Sequence, residues 1–359
     1  MTNDRAYVIA EIGVNHNGRL ADAIKLVEAA GRAKANAVKI QAFSAEAIAT
    51  VNAKKAAYQI VDGQAEQNQQ SMLKALELSE EEQISIRECV ESLGMDFIAT
   101  PFDLESLMSL YRIGVRTIKV SSSEITNAPF LYEIARRAQK IILSTGMSTL
   151  SDVESALGVI AYGLEGNTDL PQSIADFKSA YMSPLAQKKL FDRVTLLHCT
   201  SAYPTPTTDI NLRAISTLRS SFGLKVGFSD HTTSLHFASI AVALGACMIE
   251  KHITLDKNQF GPDHKSSLEP DEFAILVAAI RDTEIALGDG IKRPTAAENV
   301  NKDAVRIVIV ASGHIKAGEA FTERNLAFKR AGRGRTPFEY WRLLNQISQR
   351  DYEHDEPIE

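Results

Sequence analysis

Eight short, β-branched apolar runs recur along the chain, each followed by a stretch with helical hydrophobic spacing. They are Tyr7–Ile12, Ala37–Gln41, Asp96–Thr100, Thr117–Ser121, Lys140–Ser144, Val194–His198, Lys225–Ser229 and Cys247–His252. Most are apolar almost throughout, as strands buried on both faces of a parallel sheet must be. Eight strand–helix units in succession predict a (β/α)8 TIM barrel. An open, doubly wound sheet is the competing architecture, but no glycine-rich dinucleotide turn follows the first run. With 359 residues, 45% of them hydrophobic, the chain can bury such a barrel and still build a small second domain.

The helical stretches carry their own start and stop signals. Ser79 with Glu82 and Ser151 with Glu154 read as capping boxes. Asp103 precedes Leu104–Arg112, which Gly114 can stop, and Glu269–Glu272 place acids and a proline ahead of Phe273–Leu287. Two segments interrupt the rhythm and read as long connections: Phe43–Leu78, very polar around Gln64–Gln70, and Gly163–Asp192. After Gly288 the texture changes. Asp289–Asn301 reads as a linker, and a β-like run Arg306–Ala311 opens a small unit. The division expected is a catalytic barrel over residues 1–288, a linker over 289–302 and a small domain over 303–359.

Several classes are excluded at this level. The net charge is −6 with both signs interspersed, which argues against a nucleic-acid surface. No apolar run approaches the roughly 20 residues that span a bilayer, so no membrane role is expected. Met1–Ala6 is polar and lacks the features of a secretion signal. Cys89, Cys199 and Cys247 lie far apart and form no redox or metal spacing, which fits a reduced, cytoplasmic setting.

A barrel of this kind places its chemistry at the C-terminal ends of its strands. Polar residues fall there at nearly every run: Glu11, then Asn15 and His16; Lys39 and Gln41; Thr100; Lys119, Ser122 and Glu124; Ser144; Ser201 and Tyr203; Ser229 and His231; His252. Polar groups repeated at matching ends are costly unless they converge on a ligand. Two lysines with several serines point to a bound anion, a phosphorylated one in particular. The bland alternative is that Lys39 and Lys119 form structural ion pairs with Glu11 and Glu124. His231 and His252 end adjacent strands, where both side chains can meet on one divalent metal. His198 lies within a strand and reads as a core histidine, His16 sits in an Asn-His-Asn-Gly turn, and Cys199 reads as packing.

These residues lie in Ala10–Gly18 (AEIGVNHNG), Val38–Phe43 (VKIQAF), Thr100–Asp103 (TPFD), Ile118–Glu124 (IKVSSSE), Leu143–Met147 (LSTGM), His198–Pro206 (HCTSAYPTP), Val226–Thr232 (VGFSDHT), Ile249–Thr254 (IEKHIT) and Gly261–Pro270 (GPDHKSSLEP). In order and in combination, over about Tyr7 to Ile358, they resemble the sialic acid synthase family, which includes N-acetylneuraminate, legionaminate and pseudaminate synthases. The resemblance implies a (β/α)8 barrel followed by a small antifreeze-like (SAF) domain, to which residues from Val305 onward, with Lys329–Gly334 (KRAGRG), are similar. It implies condensation of phosphoenolpyruvate with an N-acetylated amino sugar, giving a nine-carbon sugar acid and phosphate. It places Lys39, Thr100, Lys119, Ser122, Ser144, Ser201 and Ser229 on phosphoenolpyruvate, and Gln41, Tyr203, Asp263 and Arg330 near the sugar. It makes His231 and His252 ligands of Mn2+ or Mg2+, and Glu11 and Glu124 the acidic residues of proton handling. It also implies a domain-swapped homodimer in which Arg330 reaches the partner's site. Asn52–Gln59 and Met72–Ser79 look more like the neuraminate and legionaminate enzymes than the pseudaminate ones, and do not separate the first two. A Schiff-base pyruvate aldolase using Lys39 or Lys119, and a non-catalytic sugar-acid-binding protein, are the rival readings.

Overall fold

A computed structural model describes residues 5–55, 68–166 and 170–359. Residues 64–67 of the polar stretch Gln64–Gln70, and residues 56–59 of Asn52–Gln59, lie outside the described residues. The described chain divides into two compact units, Met1–Gly288 and Asp289–Glu359.

In the first unit eight parallel strands form a closed barrel: β1 (Tyr7–Gly13), β2 (Ala37–Ala42), β3 (Asp96–Pro101), β4 (Thr117–Val120), β5 (Lys140–Ser144), β6 (Val194–Cys199), β7 (Lys225–Asp230) and β8 (Met248–His252). Each strand pairs with the next, and β8 returns to β1 with Glu11 opposite His252. Side chains alternate between the two faces of each strand. Val8, Ala10 and Ile12 on β1, like Val38 and Ile40 on β2, join the large core beneath the surrounding helices. The intervening positions point into the barrel. Ile9, Ala37, Ile98, Ile142 and Leu197, with Tyr7 and Met248, form a separate apolar cluster at its floor. The next inward positions along the strands are polar, so the barrel changes from oily to ionic within one layer of side chains.

The helices show why local signals matter. Ser79 and Glu82 form the expected reciprocal box, with Glu82 N donating to Ser79 Oγ at 3.3 Å and Ser79 N to Glu82 Oε2 at 2.8 Å. Asp103 caps Leu104–Arg112 by accepting from Ser106 N. The helix after β5 starts two residues earlier than Ser151–Glu154 predicts. Thr149 with Asp152 makes an equivalent box upstream and adds half a turn to Leu150–Glu165. The segment 163–192 is not an open connection: it holds the end of that helix and two more, Ile174–Met182 and Pro184–Arg193. These bury Ala180, Ala186 and Leu190 in the barrel's outer core. Phe43–Leu78 likewise contains the short helices Ala45–Ile48 and Gln69–Lys74.

In the second unit β9 (Ile307–Ala311) and β10 (Leu326–Arg330) form an antiparallel pair. Ile309, Ala311, Ile315, Phe321, Leu326, Leu343, Tyr352 and Ile358 give it a core of its own. The stretch read as a linker is partly ordered: Ala296–Val305 is a helix, because Pro294 is followed by a Thr295–Glu298 capping box and good helix formers. Among the described residues no helix is long and apolar enough to cross a membrane. The three cysteines are free.

Gly227 on β7 has no room for a side chain. A Cβ there would lie 2.5 Å from Met248 O and 2.6 Å from Leu197 Cδ2 at the barrel floor. Gly227→Ala should therefore lower stability by about 1–3 kcal/mol through overpacking, read as a fall in the urea midpoint at unchanged slope.

Candidate active site

The polar layer above the floor is a buried ionic cluster. Lys39 Nζ lies 2.6 Å from Glu11 Oε2, 3.6 Å from Glu250 Oε2, and donates to Thr100 Oγ1 at 3.0 Å. Lys119 Nζ is 3.7 Å from Glu250 Oε1. Gln41 Nε2 reaches Glu11 Oε1 at 3.5 Å. The alternation of β1, β2, β4 and β8 produces this convergence, since all four charged residues take inward positions. All four are buried, and the charges beside each decide which way its proton affinity moves. Burial pushes the Glu11 carboxyl up to about 7 despite the Lys39 ammonium. Glu250 is equally buried, but lies between Lys119 and Lys39 and accepts from Ser229 Oγ at 2.7 Å, which holds it down at about 2. Burial alone would lower Lys39, but Glu11 and Glu250 outweigh it and raise it; Lys119 is lowered, chiefly by burial.

Glu250 is the site residue that sequence reasoning missed. Its signal was present: it stands two residues before His252 on the same strand, and hence on the same face. Lys119 therefore pairs with Glu250 and not with Glu124. Glu124 sits on the rim after β4, where Asn127 Nδ2 donates to its Oε2 at 2.7 Å. No contact joins it to the lysines among the described residues.

Beside the cluster is a serine-lined cradle. Gly146 N donates to Ser122 Oγ at 3.0 Å, and Ser122 Oγ lies 3.3 Å from Cys199 Sγ. A Cβ on Gly146 would come within 2.4 Å of Ser201 Oγ and 2.8 Å of Ser122 Oγ. A glycine is thus required for the backbone to approach the two hydroxyls. Ser144, two residues before Gly146 at the end of β5, is buried.

The histidines lie alongside, at the ends of β7 and β8. The His231 and His252 rings stand 5.6 Å apart, centroid to centroid, and Tyr203 stacks on His231 at 4.2 Å. Burial lowers His231 to about 4 and His252 well below the ordinary imidazole range, so both are neutral. His231 Nδ1 donates to Thr200 O at 2.8 Å, which leaves Nε2 as the lone-pair nitrogen, 3.2 Å from Ser229 Oγ. His252 Nδ1 is buried without a hydrogen-bond partner and lies 3.7 Å from Asp263 Oδ2. Two neutral imidazoles, one with an orphaned nitrogen beside a carboxyl, fit the donor chemistry of a divalent metal. Among the described residues no group of three or more His, Cys, Asp or Glu is arranged to hold a metal, so water or substrate oxygens would have to complete a coordination shell.

His198 faces away from the mouth; its Nε2 meets Ile210 O at 2.7 Å and its ring stacks on Phe228. His16 is also structural, its Nδ1 accepting from Gly18 N at 3.0 Å. Arg330 ends β10 in the second unit and is exposed.

This is a barrel enzyme whose mouth sets two lysines and a serine-lined cradle beside a pair of neutral imidazoles. Residues 26–292 match the NeuB family. The chain belongs to that family, the sialic acid synthases, enzymes that form nonulosonate sugar acids. It is 42% identical over 354 residues to an N,N'-diacetyllegionaminic acid synthase of Campylobacter jejuni, covering 99% of both chains. It is 40% identical to the enzyme of that name from Legionella pneumophila, over 93% of this chain and 87% of that one. The crystal structure of an N-acetylneuraminic acid synthetase from Leptospira borgpetersenii, in complex with citrate, superposes with a TM-score of 0.65 at 32% identity, over 84% of this chain and 91% of that one.

Burial pushes the Asp263 carboxyl up to about 6. The folded protein then holds a proton that the unfolded chain releases. The associated stability is present at low pH and is lost as the pH rises through about 6. Asp263→Asn cannot ionise. In metal-free buffer at pH 8 it should be more stable than the unsubstituted protein by about 2–3 kcal/mol, and the gain should shrink toward pH 4 in urea titrations.

Proposed function

We propose that the chain condenses phosphoenolpyruvate with 2,4-diacetamido-2,4,6-trideoxymannose, giving N,N'-diacetyllegionaminate and phosphate. The observation that carries this choice of sugar is the identity of 42% and 40% to two legionaminate synthases along nearly the whole chain. N-acetylmannosamine, giving N-acetylneuraminate, is the alternative substrate.

Lys39 and Lys119 hold the anionic phosphoenolpyruvate, with Thr100, Ser122, Ser144, Ser201 and Ser229 supplying hydroxyl donors. Gln41, Tyr203 and Asp263 face the sugar. His231 and His252 would hold Mn2+ or Mg2+, which supplies Lewis-acid polarisation of the sugar aldehyde when bound. Carbon three of phosphoenolpyruvate attacks the aldehyde carbon, water adds at carbon two, and phosphate leaves by carbon–oxygen cleavage. Glu11, pushed up to about 7, is suited to take and return a proton near neutral pH. Glu124, from the rim, is the second candidate for activating water.

Residues from Val305 onward are assigned as an SAF domain, and the active species as a domain-swapped homodimer in which Arg330 completes the partner's sugar site. A planar guanidinium suits the acetamido oxygen of the sugar.

The deciding assay is phosphate release from phosphoenolpyruvate with each sugar. Turnover with the diacetamido sugar should exceed that with N-acetylmannosamine at least tenfold, stop with EDTA and return with Mn2+. Full activity in metal-stripped protein, or borohydride trapping of a pyruvate adduct on Lys39 or Lys119, would overturn the reading.

The swap has its own test. Arg330→Ala and His252→Ala homodimers should both be nearly inactive, and subunit exchange between them should restore activity, because one site of each heterodimer then carries neither lesion. Verified heterodimers that stay inactive exclude action in trans.

A further inference from the structure

Lys251 and Asp230 are wholly buried, yet no step above uses them. Lys251 Nζ lies 3.0 Å from Asp230 Oδ2. The two residues are directly opposed across β7 and β8, the last registered pair of that ladder. They point away from the barrel interior, while Ser229, Glu250 and His252 point inward. His231 therefore sits one residue beyond the ladder, with no strand partner to fix its backbone.

The pair closes a ring around that residue. Thr232 N donates to Asp230 Oδ1 at 2.9 Å, and Lys251 Nζ donates to Thr232 O. The backbone on both sides of His231 is thereby tied to the residue before His252. On the other side Thr205 N donates to His231 O at 3.0 Å, and His231 Nδ1 to Thr200 O at 2.8 Å.

Stability does not account for a lysine here. Two charges removed from water generally gain no more than apolar side chains of similar size would. What the pair supplies is a fixed geometry between adjacent strand ends, and each of its members is the immediate neighbour of one imidazole.

We infer that Asp230 and Lys251 are a positioning pair, which sets the separation and orientation of His231 and His252 and so tunes their affinity for a divalent cation. The inference rests on the metal role proposed above for those histidines.

The test is direct Mn2+ binding to the full-length protein, followed by the loss of the free-ion electron paramagnetic resonance signal. The variant is Asp230→Leu with Lys251→Met, which fills the space without charge. It should fold with an unfolding midpoint close to that of the unsubstituted protein, and bind phosphoenolpyruvate calorimetrically within twofold, because Lys39 and Lys119 are untouched. Its Mn2+ dissociation constant should rise at least tenfold. Asp230→Asn, which keeps the side-chain volume but removes the charge that holds Lys251 over the Thr232 carbonyl, is the second variant and should weaken Mn2+ at least threefold. Unchanged Mn2+ affinity in whichever variant folds overturns the positioning role and leaves the metal assignment standing. Absence of Mn2+ binding by the unsubstituted protein overturns both.

Discussion

Closure of the sheet through β1 and β8 is the constraint on which the rest of the molecule depends. It sets Glu11 opposite His252 and thereby joins the first motif of the chain to one of the last. Without that pairing each strand end would still carry its polar residue, but the residues would face solvent along an open edge. Closure turns a series of separate strand ends into one enclosed mouth. The apolar floor of Ile9, Ala37, Ile98, Ile142 and Leu197 seals it from below.

Enclosure also gives the charges their strength. Two ammonium groups and two carboxyls share a space almost out of contact with water, where electrostatic interactions are much stronger than at a surface. Glu250 sees both lysines and stays ionised; Glu11 sees chiefly one and is pushed toward neutrality. The two lysines outweigh the single carboxylate that stays ionised, so the mouth carries a positive bias. The same desolvation keeps both histidines neutral, the state in which an imidazole can be a metal ligand. One physical cause sets two buried lysines beside two neutral imidazoles, the arrangement on which the proposed function rests.

Much of this was legible beforehand because it is local or periodic. Strands were recognisable from apolar runs, and the caps at Ser79 and Asp103 from side chains three residues from their partners. The misplaced cap at Ser151 came from two boxes two residues apart, of which Thr149–Asp152 is the one that forms. The segment 163–192 seemed a connection because its helices bury only a few small or apolar residues, such as Ala180 and Ala186, and leave Ile174, Met182, Leu185 and Phe191 exposed, so no clean amphipathic period marks them. Glu250 was overlooked because its one signal, sharing a strand face with His252, names no partner; its meaning comes from lysines on two other strands.

The sequence alone determined the eight strands, their parallel order and the polar character of the strand ends, since these follow from propensity, hydrophobic period and spacing along the chain. It also determined the family, through motifs that remain recognisable one by one. Only the tertiary structure decided which charges meet. Lys119 faces Glu250 and not Glu124, and Asp230 faces Lys251 behind the two histidines. Such pairings depend on the register and closure of the barrel and on which side chains share a face, and contacts across strands distant in sequence leave no periodic trace in the chain itself.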